Sequence, residues 1–214
     1  MTWTEQRFGS RATTRSQWFA GWTNNPSWEQ PNEGIAVDVR RVVTGRDGTG
    51  KSVFVSDGLA EPVAVGLMPG LEFVNLWGGD ETPSLPTDGT RPGARTYFPP
   101  AGGYRFSLVT LPPEASQSLP ENLDLTQAMA EVEAQLPGMM DHMEPENPGM
   151  HTTNTVDLDF ILSGDLYLEL DDGAEVHLTA GDCVIQNGTR HAWHNRSSTP
   201  CRMLSILVGA QRSQ

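Results

Sequence analysis

Between Val156 and Val208 the apolar residues recur at every second position in short runs, and the runs are separated by turn residues. Val156, Leu158, Phe160 and Leu162 alternate with Asp157, Asp159 and Ile161, and Leu166, Leu168 and Leu170 alternate with Tyr167 and Glu169. Asp172-Gly173, Gly181-Asp182 and Gly188 mark turns. Further strands are expected at 175–178, 183–186, 191–194 and 202–208. A period of two places alternate side chains on opposite faces of a strand. Many short strands with no helix between them predict an antiparallel sandwich or barrel. The fold class expected is therefore all-β.

The first half of the chain carries the same signal more loosely. Ile35–Val39, Arg41–Thr44, Ser52–Ser56, Leu71–Trp77 and Tyr104–Leu111 read as strands. The turn Gly45–Gly50 supplies glycines for a hairpin. Its G-x-x-G-x-G spacing does not read as a phosphate loop, because a strand rather than a helix follows it. Residues 78–103 form a Gly/Pro/Thr-rich loop. One helix is expected over residues 125–136, with Asp124 as its cap, Gln127 as capping-box partner, and Leu125, Met129, Val132 and Leu136 on one face. Pro137-Gly138 ends it. With 22 Gly and 16 Pro in 214 residues, turns outweigh long helices. Four segments follow: a Trp-rich arm over 1–34, a β-rich region over 35–112, a helix and loop over 113–148, and a barrel core over 149–209.

A formal net charge of −13 opposes nucleic acid and anionic lipid, so neither is an expected partner. Cys183 and Cys201 lack metal or redox spacing and read as buried free thiols of a reducing compartment. The N-terminus has no apolar stretch of signal-peptide length, and no run approaches the roughly 20 apolar residues of a membrane span. A cytoplasmic protein is expected. Asp171-Asp172 and Asp80-Glu81 read as turn residues rather than an acid pair.

His151 and Asp157 lie six residues apart, and His191 follows forty residues after the first. Odd-numbered His151, Thr153, Asp157 and Asp159 would share one strand face, as would His191 and Trp193. Two imidazoles and one carboxylate facing a barrel interior suit non-haem Fe(II), with Zn, Mn or Ni as alternatives. Thr153, a poor ligand, would leave a position open. His142 is a further ligand candidate from the preceding loop, whereas His177 and His194 alternate away from the site and are expected to be exposed.

The stretch 149–209 resembles the conserved barrel of the cupin superfamily, a double-stranded β-helix or jelly roll. Counting back from Gly164 sets Asp157 at the family's glutamate position, and Thr153 and His151 at its two histidine positions. Gly181, Gln186-Asn187-Gly188, His191 and Asn195 follow the second motif, with Gln186 where proline is usual. The resemblance implies a cupin-type barrel with an N-terminal β extension, one divalent metal ion on His151, Asp157 and His191, and a small-molecule substrate. Thr153 and Trp193 would line the pocket and Asp159 would move a proton. The reaction expected is lyase, isomerase or dioxygenase chemistry on a carbonyl, hydroxy or carboxylate compound. A non-catalytic small-molecule-binding barrel is the alternative, since one ligand histidine is replaced by Thr153. A homodimer is expected, with the Trp-rich arm as a candidate contact.

Overall fold

A computed structural model describes residues 38–213. The Trp-rich arm and the start of the strand expected at 35–39 lie outside the described residues.

The described chain is all-β, with antiparallel sheets and one short α-helix. β1 (Val39–Arg46) and β2 (Ser52–Ala60) form a hairpin that makes its own two-stranded sheet. The turn between them is closed by Asp47, whose Oδ1 accepts from the backbone of Thr49 and Lys51. β3 (Pro62–Val63), β4 (Glu72–Gly79) and β5 (Tyr104–Leu111) come next, then α1 (Leu125–Gln135). β6 (Thr155–Ser163), β7 (Asp165–Glu169), β8 (Glu175–Thr179), β9 (Cys183–Asn187), β10 (Ala192–His194) and β11 (Cys201–Gly209) complete the chain.

A six-stranded sheet runs β3-β4-β5-β11-β6-β9, and a three-stranded sheet runs β10-β7-β8. β11, the last strand, is inserted between β5 and β6, so residues from both halves of the chain share one sheet. Apolar side chains from both sheets and from α1 form a common core: Phe73, Val109, Ile161 and Met203 meet Leu166, Leu168 and Leu178, and Val132 and Leu136 join them.

Asp124 caps α1 as expected, accepting from the backbone N–H of Thr126 and Gln127. The buried face of the helix differs from the expected one. Ala128, Val132 and Leu136 are buried at an i, i+4, i+8 spacing, while Leu125 and Met129 are exposed. The helix buries one narrow stripe, and Leu125 and Met129 lie a position off it. Cys201 is buried, but Cys183, at the start of edge strand β9, is exposed, which corrects the expectation of two buried thiols. Both are free.

Candidate metal centre

Alternation along β6 sets Thr155, Asp157, Asp159 and Ile161 on the buried face and leaves Val156 and Leu162 exposed. Across the six-stranded sheet the register continues this face. Asp159 is opposite Ser205, Ser205 opposite Ser107, and Ser107 opposite Asn75. The Ser205 hydroxyl donates to Asp159 Oδ1 at 2.6 Å, and the Ser107 hydroxyl donates to Asn75 Oδ1 at 3.4 Å. A polar row therefore crosses four strands of the interior, beside the apolar row Phe73, Val109, Met203 and Ile161. This row was invisible in the local sequence pattern, because it exists only once β11 lies between β5 and β6.

His151 and His191 meet outside the named strands. Each donates its backbone N–H to the other's carbonyl, at 2.9 and 3.0 Å. Their rings stand 4.1 Å apart, centroid to centroid. His151 Nδ1 donates to the Gly149 carbonyl at 3.0 Å, and His191 Nδ1 to the Thr189 carbonyl at 2.9 Å. An imidazole that donates from Nδ1 to a backbone carbonyl is fixed in the tautomer whose Nε2 lone pair is free to ligate. Burial, and then the neighbouring His151, pull the His191 imidazole down to about 4, and burial also lowers His151. Both rings are thus kept neutral, the form that binds metal. The Gly188 turn before His191 has φ +61, and a Cβ there would lie 3.1 Å from the Thr153 carbonyl. Glycine lets the turn close against the segment that leads from Thr153 into β6.

His142, on a short 3-10 turn (Met140–His142), repeats the arrangement: its Nδ1 donates to the Thr152 carbonyl at 3.0 Å. Phe98 lies edge-on to His142 at 4.8 Å and also packs against His151 at 6.3 Å. Trp193 stands edge-on to His191 at 5.8 Å and packs on the core. Thr153 is buried, its hydroxyl 2.7 Å from that of Thr155.

Asp157 and Asp159 are both buried. Burial pushes the Asp157 carboxyl up to about 6, against a hydrogen bond from Thr155. Burial pushes Asp159 up to about 7; the Ser205 hydroxyl opposes this and the Asp157 charge adds to it. Among the described residues Asp157 Oδ1 and Gln186 Nε2 are buried without partners, although Asp157 and Gln186 are directly opposite on β6 and β9. An orphaned acceptor and an orphaned donor on one interior row are costly unless a bound group satisfies them. That observation and the two free Nε2 atoms fit a metal ion with water in its remaining positions. His151 and His191 are brought together, but Asp157 is not gathered with them into a group whose ligand atoms all lie within 4.8 Å of one another.

Among the described residues such a tight group is formed by Glu169, Glu175 and His194. Its donors are already engaged. His194 Nδ1 bonds Glu114 Oε1 at 2.6 Å, His194 Nε2 bonds Glu169 Oε2 at 2.7 Å, and Arg196 holds both oxygens of Glu175. We read it as an ion-pair cluster. His194 is accordingly half-buried rather than exposed, while His177 is exposed beside Asp165. Asn195 is not a ligand either. Its amide donates to the carbonyls of Leu111 and Thr199, tying the end of β10 to β5.

Sequence reasoning missed Tyr97 and Phe98. Tyr97 lies edge-on to Phe73 at 5.5 Å and to Phe98 at 4.9 Å, and burial together with the charges of Asp159 and Asp157 raises its phenol. It comes from the long loop between β4 and β5, where no periodicity signals an inward side chain.

A family model described as a cupin domain matches residues 140–207. The chain is 44% identical over 63 residues to phomopsin biosynthesis cluster protein C' of Diaporthe leptostromiformis, which covers 29% of this chain and 33% of that protein. It is 38% identical over 65 residues to oryzines biosynthesis cluster protein J of Aspergillus oryzae, covering 30% and 36% respectively. The matched segment thus spans about a third of the length of these curated relatives. A solved cupin superfamily protein from Desulfitobacterium hafniense overlays with a TM-score of 0.35 at 12% identity, over 66% of this chain and 80% of that one. The matched segment holds His151, Asp157, Gly164, Gly181, Gly188 and His191, so it is residues 140–207 of this chain that match the cupin domain.

Proposed function

We propose that the chain is a metal-dependent cupin enzyme acting on a small organic molecule with a carbonyl, hydroxy or carboxylate group. His151, Asp157 and His191 would hold one divalent ion, Fe(II) first, with Zn, Mn or Ni as alternatives. The observation that carries this reading is the pair of neutral imidazoles, each tethered at Nδ1 and free at Nε2, beside a buried carboxylate with an unpartnered oxygen. When bound, the ion supplies a Lewis acid that polarises a carbonyl or hydroxyl.

The chain's own residues supply the rest. Asp159, with a carboxyl near neutrality, is suited to give or take a proton at working pH. The Ser205 hydroxyl on Asp159 Oδ1 leaves the other carboxyl oxygen for the substrate. Thr153 offers a neutral hydroxyl, and Trp193 and Phe98 supply apolar walls that exclude water. The relatives are named as members of biosynthesis clusters, which accords with a small organic substrate. Oxygen uptake with an aromatic or enediol substrate separates dioxygenase from lyase or isomerase chemistry. Asp159→Asn should keep bound metal while turnover falls by roughly 10²–10⁴-fold; full turnover in that variant would remove Asp159 from the reaction.

We further propose a cytoplasmic homodimer. Free Cys183 and Cys201 accord with a reducing compartment, and no helix among the described residues is long and apolar enough to cross a membrane. The outer face of the six-stranded sheet carries Phe106, Leu108, Leu158, Leu204 and Ile206, an apolar patch bordered at one end by the Arg202–Thr110 pair. Phe106→Lys should shift light-scattering mass from dimer to monomer, and an unchanged mass would refute pairing through this face.

A further inference from the structure

Outside the proposed metal centre, two arginines converge on one carbonyl. Arg41, on β1, donates from Nη1 to the carbonyls of Asn75 at 3.2 Å and Leu76 at 3.1 Å. Arg91, in the loop between β4 and β5, donates from Nη2 to the same Asn75 carbonyl at 3.3 Å. These bonds are at the long end for N–H···O. Among the described residues the buried Arg41 Nε has no hydrogen-bond partner. Arg40, Arg95, Arg105, Arg190 and Arg196 each sit in an ion pair, but among the described residues Arg41 and Arg91 face no carboxylate. Burial, and then the Arg41 charge, pull the Arg91 guanidinium below its ordinary value.

Two cations without a carboxylate partner among the described residues stand out in a chain of net charge −13. Arg91 lines a cavity of about 320 Å³ together with Asn75, Trp77, Tyr97, Arg105 and Gln135, and Arg41 reaches its edge through the Asn75 carbonyl that it shares with Arg91. Arg105 adds no free charge there, since Asp80 Oδ1 holds it at 2.6 Å. Trp77 gives the cavity a flat apolar wall, and the guanidinium fork matches the two oxygens of a carboxylate or phosphate. In an acidic protein an anionic ligand is drawn only where local cations reverse the field.

We infer that Arg41 and Arg91 form an oxyanion-binding site at this cavity, taking the carboxylate or phosphate of a small organic ligand whose body lies against Trp77. The site is independent of the metal reading, because none of its residues belongs to that ligand set.

Isothermal titration calorimetry of the full chain at low ionic strength tests it, with benzoate and inorganic phosphate as separate probes. At least one should bind saturably at one per chain, and which one does identifies the ligand's anionic group. Arg91→Gln, an exposed change that leaves the strands intact, should weaken binding by about tenfold or more, because bonds to a charged acceptor are lost. Arg41→Gln should do the same, and Arg40→Gln, whose partner is Asp57, should not. Should Arg41→Gln fail to fold, Arg91→Gln alone decides. Neither probe binding, or binding undiminished in Arg91→Gln, would overturn the site.

Discussion

The imidazoles of His151 and His191, forty residues apart in the chain, stand 4.1 Å apart and exchange both backbone hydrogen bonds. Main-chain pairing therefore fixes their spacing, and the Gly149 and Thr189 carbonyls fix their ring orientation.

Stability should carry the signature of the buried carboxyls. A carboxyl with a higher pKa folded than unfolded holds extra protons in the native state between those two values, so stability falls as pH rises through that window. For Asp159 the window runs from 3.8 to about 7. His191, lowered from 6.5 to about 4, works the other way, losing stability as pH falls through 6.5 toward 4. Comparing wild type with Asp159→Asn isolates the first effect. In EDTA, the variant's melting temperature should exceed that of wild type by an amount that grows from pH 4 to 7 and levels off above. A difference independent of pH would contradict a buried, raised carboxyl.

The helix offers a contrast between periodicity and packing. Leu136 is wholly buried, whereas Leu125 is 60% exposed. Chemical denaturation should show Leu136→Ala costing about 2–5 kcal/mol. Leu125→Ala should stay within about 0.5 kcal/mol of wild type. Equal costs would mean that α1 packs through a different face.

Arg105 and Asp80 form a buried pair, 7% exposed for Arg105, with the guanidinium also bonded to the carbonyls of Gly79 and Thr96. Asp80→Ala leaves that charge without its counter-ion, at an expected cost of about 3–5 kcal/mol in urea unfolding. A loss below about 1 kcal/mol would show that the carbonyls suffice.

Gly164 sits at φ +74, and a Cβ there would come within 2.8 Å of the Cys201 Cα and the Pro200 carbonyl. Gly164→Ala should destabilise by on the order of 1–3 kcal/mol from the backbone conformation alone, with the clash added. A neutral effect in thermal melts would place this turn elsewhere.

Legibility in the sequence followed the range of the interactions involved. The strand Tyr104–Leu111, the helix with its Asp124 cap, and the buried face of Asp157 and Asp159 depend on local alternation or local hydrogen bonds, and each could be read directly. The row Asn75-Ser107-Ser205-Asp159 joins four strands through a late insertion of β11, so no window of sequence contains it. The helix face was misread because Leu125 and Met129 fit an apolar stripe on paper, while the core accepts only the narrow line of Ala128, Val132 and Leu136. His194 was misread because alternation gives a face but not the arrival of Glu114 from eighty residues away. Tyr97 and Arg91 lie in a loop, where position follows from tertiary contacts alone.

Elemental analysis of the full chain, purified without tag or chelator beside Asp157→Ala and His191→Ala, tests the central claim most directly. About one equivalent of a divalent metal in wild type, lost in both variants, is the predicted result, with iron directing attention to oxygen-dependent reactions. Wild type that stays metal-free even after reconstitution, or metal content unchanged in both variants, would contradict the account and leave a small-molecule-binding barrel in its place.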